Sequence, residues 1–278
     1  MKRVGIIGCG AIGTQVALAI DDAKISDTIL EFLFDTNPDA TKSLAGKLTN
    51  STARCFSDFS DLISSTPFKA SNLVLESASQ AAVRLFAKRL LELGKDLIVM
   101  SVGALADDQL LSDLLASLDK NGTNLVLPTG AIAGIDAIRS VKEVLDSVLL
   151  ITTKNPKALE GAPFFEKNRI KLNSITQKTT IYQGTAADAI LNFPSNVNVA
   201  SILAIAGVGM ERTKVRIVAD PAIHYNQHQI IAEGTFGKID IKLMNNQAEG
   251  NPKTSFLAIL SAIESVRSTS RKNFRIGT

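Results

Sequence analysis

The chain has 278 residues, of which 45% are hydrophobic and 21% are charged. This length favours two domains, and the composition is that of a folded globular protein, which excludes an intrinsically disordered one. The 30 basic and 27 acidic residues are interspersed and leave a net charge of only +3, so no charged surface points to a nucleic acid or an anionic membrane. We therefore expect a small-molecule partner.

The amino-terminal segment MKRVGIIGCGAIGTQVALAI superficially resembles a secretory signal, because two basic residues precede an apolar run. Glycines and a glutamine interrupt that run, and no window approaches the about 18 consecutive apolar residues of a membrane helix. We expect a cytoplasmic protein with no membrane partner. Cys9 and Cys55 are too few for a disulfide framework and have no metal-ligand spacing, so both are expected to be small buried side chains.

The first half of the chain alternates between short apolar strands and amphipathic helices. This alternation predicts an α/β fold with a parallel sheet covered by helices on both faces, and we assign residues 1–128 to a Rossmann dinucleotide-binding domain. The predicted strands are 3–8, 28–35, 71–76, 96–101 and 123–128, and the predicted helices are 9–22, 37–48, 80–94 and 107–122.

The pattern changes near residue 129. Strands at short spacing with few helices predict a second, α+β domain over residues 129–250, built on a mainly antiparallel sheet and serving substrate binding, catalysis and oligomerisation. A closing amphipathic helix over 251–272, with Thr254 or Ser255 as N-cap, is expected to pack back on the first domain together with the rest of 251–278. The other predicted strands are 147–154, 179–184, 214–220, 228–236 and 238–244, and the other helices are 186–193 and 198–208.

A complete G-x-G-x-x-G fingerprint lies between the first strand and the first helix, at Gly8, Gly10 and Gly13. In that context it predicts dinucleotide binding: the glycines permit the tight turn, the approach of a pyrophosphate and close packing of helix on strand. The backbone amides of Ala11 and Ile12 are expected to hold the phosphates. The alternative is a glycine-rich turn without a ligand.

Asp35 ends the second predicted strand, where a carboxylate can accept hydrogen bonds from the adenosine ribose. It would repel the extra phosphate of NADP, and no arginine follows it, so NAD is favoured over NADP. The alternative role for Asp35 is to cap the next helix. After the third of the predicted strands, Ser77, Ala78 and Ser79 are expected to line the cofactor site, with helix capping as the alternative.

Several later stretches carry a more specific signal. TGAIAGIDAI (129–138), TTKNPKALEGAP (152–163), LNFPSNVNVA (191–200), DPAIHYNQHQI (220–230) and NPKTSFLAILSAI (251–263) together resemble the L-aspartate dehydrogenase family, and the resemblance runs from the glycine loop to the last helix. Dihydrodipicolinate reductase is a more distant architectural relative.

The resemblance implies an enzyme that oxidises L-aspartate to iminoaspartate with NAD(P)+. The imine would hydrolyse to oxaloacetate and ammonia or pass to quinolinate synthesis, and the reverse reaction is reductive amination of oxaloacetate. The family's catalytic histidine lies in an N-x-H motif, which falls on Asn226 and His228. The resemblance also implies that Ala131 and Asn198 of NVNVA touch the cofactor.

The chemistry of the residues agrees with this reading. Hydride removal from an amine-bearing carbon requires a neutral amine, and imine hydrolysis requires an activated water, so one group that titrates near neutral pH serves both steps. His228 has that property, whereas His224 is expected to be an exposed turn residue. Geometry argues against a metal shared by the two histidines, because four residues of extended chain separate them by about 13 Å. We predict no metal.

The two carboxylates of aspartate should meet fixed positive charge or backbone amides. Lys154 is the candidate clamp, although the family tends to have arginine there, which leaves a point charge in place of a bidentate fork. A helix entered at Gly130 and Ala131 is expected to offer amides as well. The alternative for Lys154 is a solvated strand-end side chain.

The fold alone does not choose between functions. One alternative is a related reductase of a cyclic imine or a semialdehyde, and another is a catalytically silent NAD-sensing protein, against which the intact Asn226 and His228 pair argues. A homodimer is expected because an apolar second-domain sheet often self-associates.

Overall fold

A computed structural model describes residues 1–194, 198–249 and 251–270, with only the backbone described at 252 and 253. It divides into two compact units. Residues Met1–Pro128 and the carboxyl-terminal helix from Ile259 form the first unit, and Thr129–Ala258 form the second. Within the described ranges, no helix has the length and apolar character needed to span a membrane.

The first unit contains the predicted parallel sheet, which has six strands, one more than the five expected from the sequence. Its strand order is β3-β2-β1-β4-β5-β6, so the direction of winding reverses between β1 and β4, and ligands of such sheets bind beyond the carboxyl ends of the strands at this point. The strands are β1 Lys2–Ile7, β2 Thr28–Phe34, β3 Arg54–Phe56, β4 Leu73–Glu76, β5 Asp96–Val99 and β6 Leu125–Val126. The helices are α1 Ala11–Asp21, α2 Pro38–Ala45, α3 Phe59–Ser64, α4 Thr66–Ala70, α5 Gln80–Glu92 and α6 Asp108–Asn121.

The core of this unit forms where branched side chains of the strands meet the small and branched side chains of α1. The central strands β1 and β4 read as continuous apolar runs, which is typical of strands covered on both faces. The last helix, α11 (Phe256–Ser270), contributes two fully buried side chains to the same cluster. Its members include Val4, Ile6, Val16, Ile20, Leu73, Leu75, Ile98, Ala262 and Val266.

The second unit contains a five-stranded sheet in the order β11-β10-β7-β9-β8, in which the β7–β9 pair is parallel and the other pairs are antiparallel. The predicted, mainly antiparallel second sheet is thereby confirmed. The strands are β7 Leu145–Lys154, β8 Thr179–Thr185, β9 Thr213–Ala219, β10 Asn226–Gly234 and β11 Gly237–Asn245, with a separate pair β12 Gln247–Ala248 and β13 Asn251–Ser255. The helices are α7 Ile135–Ser140, α8 Pro163–Lys167, α9 Ala186–Asn192 and α10 Asn198–Ala206.

Three expectations differ from the structure. The closing helix begins at Phe256 and not at 251, because 251–255 pairs with β12 as a strand. No helix is entered at Gly130 and Ala131: Gly130 and Gly134 both have positive φ, and α7 begins only at Ile135. Cys55 is exposed and not buried, because it lies on the three-residue edge strand β3. The end of the predicted closing segment, 271–278, falls outside the described residues.

A buried carboxylate fastens α1 to the loop before β3. Asp21 is only 6% exposed and accepts hydrogen bonds from the backbone amides of Thr49 (2.7 Å), Asn50 (3.1 Å) and Ser51 (2.6 Å). Burial disfavours the charged form, but these hydrogen bonds prevail and hold the pKa of Asp21 at about 2.

We expect Asp21→Ala to lower the free energy of unfolding by about 2 kcal/mol, because the backbone amides of three residues lose the buried carboxylate that accepts their hydrogen bonds. Since the folded-state pKa lies below the ordinary value, the carboxylate stabilises the protein above about pH 4, and this contribution is lost as the pH falls towards 2. Denaturant unfolding at pH 7 and at pH 2.5 measures both effects. Asp22→Ala, at the neighbouring exposed acid, is the control, and an equal loss in both variants would contradict the explanation.

Candidate active site

The glycine loop joins β1 to α1. Gly8 has a φ of +98°, and a Cβ at this position would overlap the backbone at Ala78. A Cβ at Gly13 would overlap the carbonyl oxygen of Gly8, which shows why helix and strand can approach only over a glycine here. Gly10 is exposed and faces open space. Gly8 therefore permits the turn, Gly13 permits the close packing of helix on strand, and Gly10 leaves room for the approach of a ligand.

Helix α1 begins directly at this loop. Gly10 is its N-cap, and no side chain caps the helix. Thr14 N donates to Gly10 O (2.9 Å) as in a regular helical turn. Ala11 and Ile12 come before Thr14, so their amides lie in the first turn, where amides have no intrahelical acceptor. This arrangement fits the pyrophosphate of a dinucleotide.

Asp35 follows the last residue of β2 and is held at both carboxylate oxygens. Cys9 N donates to its Oδ2 (2.9 Å) and Asn37 N donates to its Oδ1 (3.0 Å). The alternative role as a helix cap falls to Asn37, whose side chain accepts from Asp39 N. Asp35 is thus fixed at the edge of the glycine loop, where the carboxylate of a dinucleotide-binding site is expected.

The carboxyl end of β4 contains a charged residue that the sequence reading overlooked. Glu76 is 3% exposed and accepts from the amides of Ala78 (2.9 Å), Ser79 (3.0 Å) and Ser101 (3.0 Å), as well as from the Ser101 hydroxyl. Burial raises the pKa of Glu76. The side chain joins the ends of β4 and β5 and so fixes the loop that was predicted to line the cofactor site.

The three residues of that loop have different surroundings. The Ser77 hydroxyl donates to Gly8 O (3.0 Å) and ties the loop to the glycine turn. Ala78 and Ser79 are exposed, and the Ser79 side chain accepts from Ala82 N as the N-cap of α5. Ser79 therefore has the capping role that the sequence left as an alternative.

In the second unit, polar side chains meet on the buried face of the sheet. Because residues two apart on a strand share a face, the pairing of His228 with Thr152 puts the side chains at 226 and 154 on that face as well. Asn245 joins them from β11, opposite Asn226. We call this group the polar cluster; each member is at most 6% exposed, and the members are Thr152, Lys154, Asn226, His228, Asn245 and Ser255.

His228 is held through one ring nitrogen. Its Nδ1 lies 3.0 Å from Thr152 Oγ1, so Thr152 orients the imidazole and leaves Nε2 for another partner. Burial and the charge of Lys154 lower the pKa of His228 to about 3, and burial lowers the pKa of Lys154 to about 8. The expectation that His228 titrates near neutral pH therefore fails for the protein alone: its imidazole is neutral there.

Two amides complete the polar cluster. Asn245 Nδ2 donates to Ala131 O (2.7 Å), which anchors the turn at 130–131 to the sheet. Asn226 Nδ2 donates to Ser255 Oγ (3.3 Å), while Asn226 Oδ1 is fully buried and accepts no hydrogen bond from any described residue. An orphaned buried acceptor is costly, so this oxygen fits a donor supplied by a ligand.

The remaining predicted residues lie elsewhere. His224 is exposed in a bend before β10, as expected. Asn198 is the exposed first residue of α10, next to 195–197, which lie outside the described residues. Among the described residues, no three His, Cys, Asp or Glu side chains are grouped as metal ligands.

Comparison with known proteins agrees with this architecture. Residues 8–128 match the NAD-binding domain of homoserine dehydrogenase, and residues 136–269 match the carboxyl-terminal domain of aspartate dehydrogenase. The crystal structure of aspartate dehydrogenase from Thermotoga maritima has the same fold, with a TM-score of 0.74, 24% identity and full coverage of both chains. A scyllo-inositol dehydrogenase from Lactobacillus casei is a more distant match, with a TM-score of 0.58, 15% identity, and coverage of 96% of this chain and 87% of the other.

Relatives of known classification share much more sequence. The chain is 44% identical to the L-aspartate dehydrogenase of Nitrosopumilus maritimus over all of both chains. It is 43% identical to that of Methanosarcina barkeri over 96% of each chain. The matched region of the Nitrosopumilus maritimus relative spans the whole chain and so includes both the glycine loop and the polar cluster. The chain belongs to the L-aspartate dehydrogenase family.

Proposed function

We propose that this protein oxidises L-aspartate to iminoaspartate with NAD(P)+ and, in reverse, aminates oxaloacetate reductively. The imine hydrolyses to oxaloacetate and ammonia or feeds quinolinate synthesis. The observation that carries the proposal is the buried polar cluster, in which a lysine, a histidine and an orphaned amide oxygen share one face of the second sheet. The match of 136–269 to the aspartate dehydrogenase family supports it.

The glycine loop and Asp35 are proposed to bind the cofactor. Gly8, Gly10 and Gly13 shape the turn, the first-turn amides of α1 face the pyrophosphate, and Asp35 accepts from the adenosine ribose. Bound NAD(P)+ supplies the acceptor for the hydride. Ser77, Ala78, Ser79, Ala131 and Asn198 are kept as proposed cofactor contacts.

Three members of the polar cluster each fit a part of aspartate. The Lys154 ammonium fits a carboxylate. Asn226 Oδ1 can only accept, so it fits an N–H of the substrate amine and would hold the reacting nitrogen in place. His228 Nε2 is the atom proposed to take the proton that the substrate ammonium must lose before its nitrogen can form a double bond to carbon.

Cofactor preference offers a test of the first unit. We expect Asp35→Ser to reduce kcat/KM for NAD+ about 10-fold to 100-fold, because a charge-assisted hydrogen bond to the ribose is lost, and to reduce kcat/KM for NADP+ much less, because a repelling charge is lost too. Asp39→Ser, at an exposed acid in the first turn of α2, is the control. An unchanged NAD+ to NADP+ ratio would argue against ribose binding by Asp35.

The test of the function is NADH oxidation by the purified chain with oxaloacetate and ammonia together, with oxaloacetate alone, and with other keto acids. Turnover that needs both oxaloacetate and ammonia supports the proposal. Reduction of a cyclic imine or a semialdehyde in its place would indicate a related reductase. NADH binding with no turnover of any of these substrates would indicate an NAD-sensing protein.

We also propose a cytoplasmic homodimer. The face of the second sheet opposite the polar cluster has half-exposed apolar side chains at Leu149, Ile151 and Ile231, and Met244 is 60% exposed on the edge strand β11; a second copy of the chain would cover them. Both cysteines are free, which suits a reducing compartment. Light scattering of the wild type and of Ile231→Glu tests the dimer: the wild type should have twice the mass of the variant.

A further inference from the structure

Lys154 and His228 lie close together on one buried face. His228 is directly opposite Thr152 on the neighbouring strand, and Lys154 is two residues beyond Thr152 on the same side of β7. Such diagonal neighbours are within reach of long side chains. Both residues are at most 4% exposed, so little water screens the effect of the Lys154 charge on the imidazole.

Apart from Lys154, the described side chains that flank His228 on the same face of the two adjoining strands are neutral. Thr152 contributes a hydroxyl at Nδ1. Strand β11 contributes Leu243, directly opposite the histidine, and the side-chain amide of Asn245, two residues further along. The charge that acts on the imidazole comes from Lys154. Lys154 is therefore the group through which the proton affinity of His228 can be changed.

Without substrate, the imidazole of His228 is in the neutral form that can accept a proton, but its affinity for that proton is low. Burial and the Lys154 charge lower the pKa of His228 to about 3, so the imidazole is a weak proton acceptor. A carboxylate placed against Lys154 would bring a negative charge to the same buried face. An opposite charge at about 4–6 Å favours the protonated form of a histidine.

We propose that a substrate carboxylate bound at Lys154 turns His228 into a competent proton acceptor, so that Lys154 couples recognition of the acidic substrate to the acid–base step. This inference rests on the proposed function. In the step concerned, one N–H bond of the substrate ammonium breaks and one N–H bond forms at His228 Nε2; the product is a neutral amine and an imidazolium, and no electrons are exchanged with a third reactant.

The test is an NMR pH titration of the two histidines of the full chain, with and without succinate, a dicarboxylate that has no amine to oxidise. Exposed His224 is the internal reference. Saturating succinate is expected to raise the pKa of His228 by about 1 to 3 units and to leave His224 unchanged. Chloride at equal ionic strength is expected to move neither histidine.

A variant separates the role of Lys154 from other effects of succinate. Lys154→Met is expected to raise the pKa of His228 without any ligand and to remove the response to succinate. Lys154→Arg, which keeps the charge, is expected to retain both the low pKa and the response, and it stands in if the methionine variant does not fold. A His228 that does not respond to succinate in the wild type, or that responds equally in Lys154→Met, would overturn the inference.

Turnover of oxaloacetate with ammonia is measured on the same preparation. Turnover together with an unresponsive His228 would overturn this inference and leave the proposed function standing. A succinate-dependent shift without turnover would overturn the proposed function and leave a carboxylate site that controls a histidine.

Discussion

The His228→Asn variant is expected to lose about 100-fold to 10,000-fold of kcat with L-aspartate while it still binds NADH. The loss is large because the variant removes a buried acid–base group that Thr152 holds in position. Asparagine is close to histidine in size and remains polar, which limits any loss of packing. Steady-state kinetics and NADH fluorescence titration measure the two quantities.

The chain contains its own control for this variant. His224 is the other of the chain's two histidines. It lies four residues before His228 and is exposed, so His224→Asn should keep wild-type kcat and KM. Equal losses in both variants would point to a general disturbance of the segment before β10. A His228→Asn enzyme with kcat near that of the wild type would remove His228 from the catalytic machinery.

The Lys154→Met variant is expected to lose about 100-fold to 1,000-fold of kcat/KM for L-aspartate and for oxaloacetate. A substrate carboxylate would enter a buried site without its counter-charge, and such truncations cost about 2–5 kcal/mol. Methionine keeps the length and the apolar stem of the side chain, so the loss reports on the charge. The affinity for NADH should change little.

Lys157→Met is the matched control, because Lys157 is three residues further along and exposed. Lys154→Arg should recover part of the activity, since the charge returns with a different geometry. If Lys154→Met affected NADH binding and left KM for both acids unchanged, Lys154 would not contact the substrate.

The architecture was predictable because its signals are local. In the first unit, strand and helix alternate with clear periodicity, and the glycine fingerprint marks the turn between β1 and α1. In this unit, the elements that escaped prediction are β3, α3 and α4, which have only three to six residues each, too few to show a period. The strand β13 was read as the start of a helix because its pairing with β12 leaves no mark on its own residues.

The site was only partly predictable for the same reason. His228, Asn226 and Lys154 could be singled out from local motifs. Thr152 and Asn245 depend on strand register, which places them next to residues about 76 and 19 positions away in sequence, and no local pattern carries that information. Glu76 could have been found, because a carboxylate at the end of the buried run LVLE is unusual in a parallel strand.

The pKa of His228 was harder still to predict from the sequence. A histidine is expected near its ordinary pKa until its burial and its neighbours are known. Here burial of the imidazole lowers the pKa of His228 to about 3, and the charge of Lys154, which the strand pairing places nearby, contributes to this shift. The histidine at position 228 indicated acid–base chemistry, whereas its charge in the ligand-free protein depends on the tertiary structure.

The most direct test of the central claim is NADH formation from NAD+ by the purified chain with L-aspartate, D-aspartate and L-malate, with released ammonia measured in parallel. We expect L-aspartate to support the reaction, with one ammonia released per NADH, and D-aspartate and L-malate not to support it. Oxidation of L-malate in preference to L-aspartate, or NADH formation without ammonia, would contradict it.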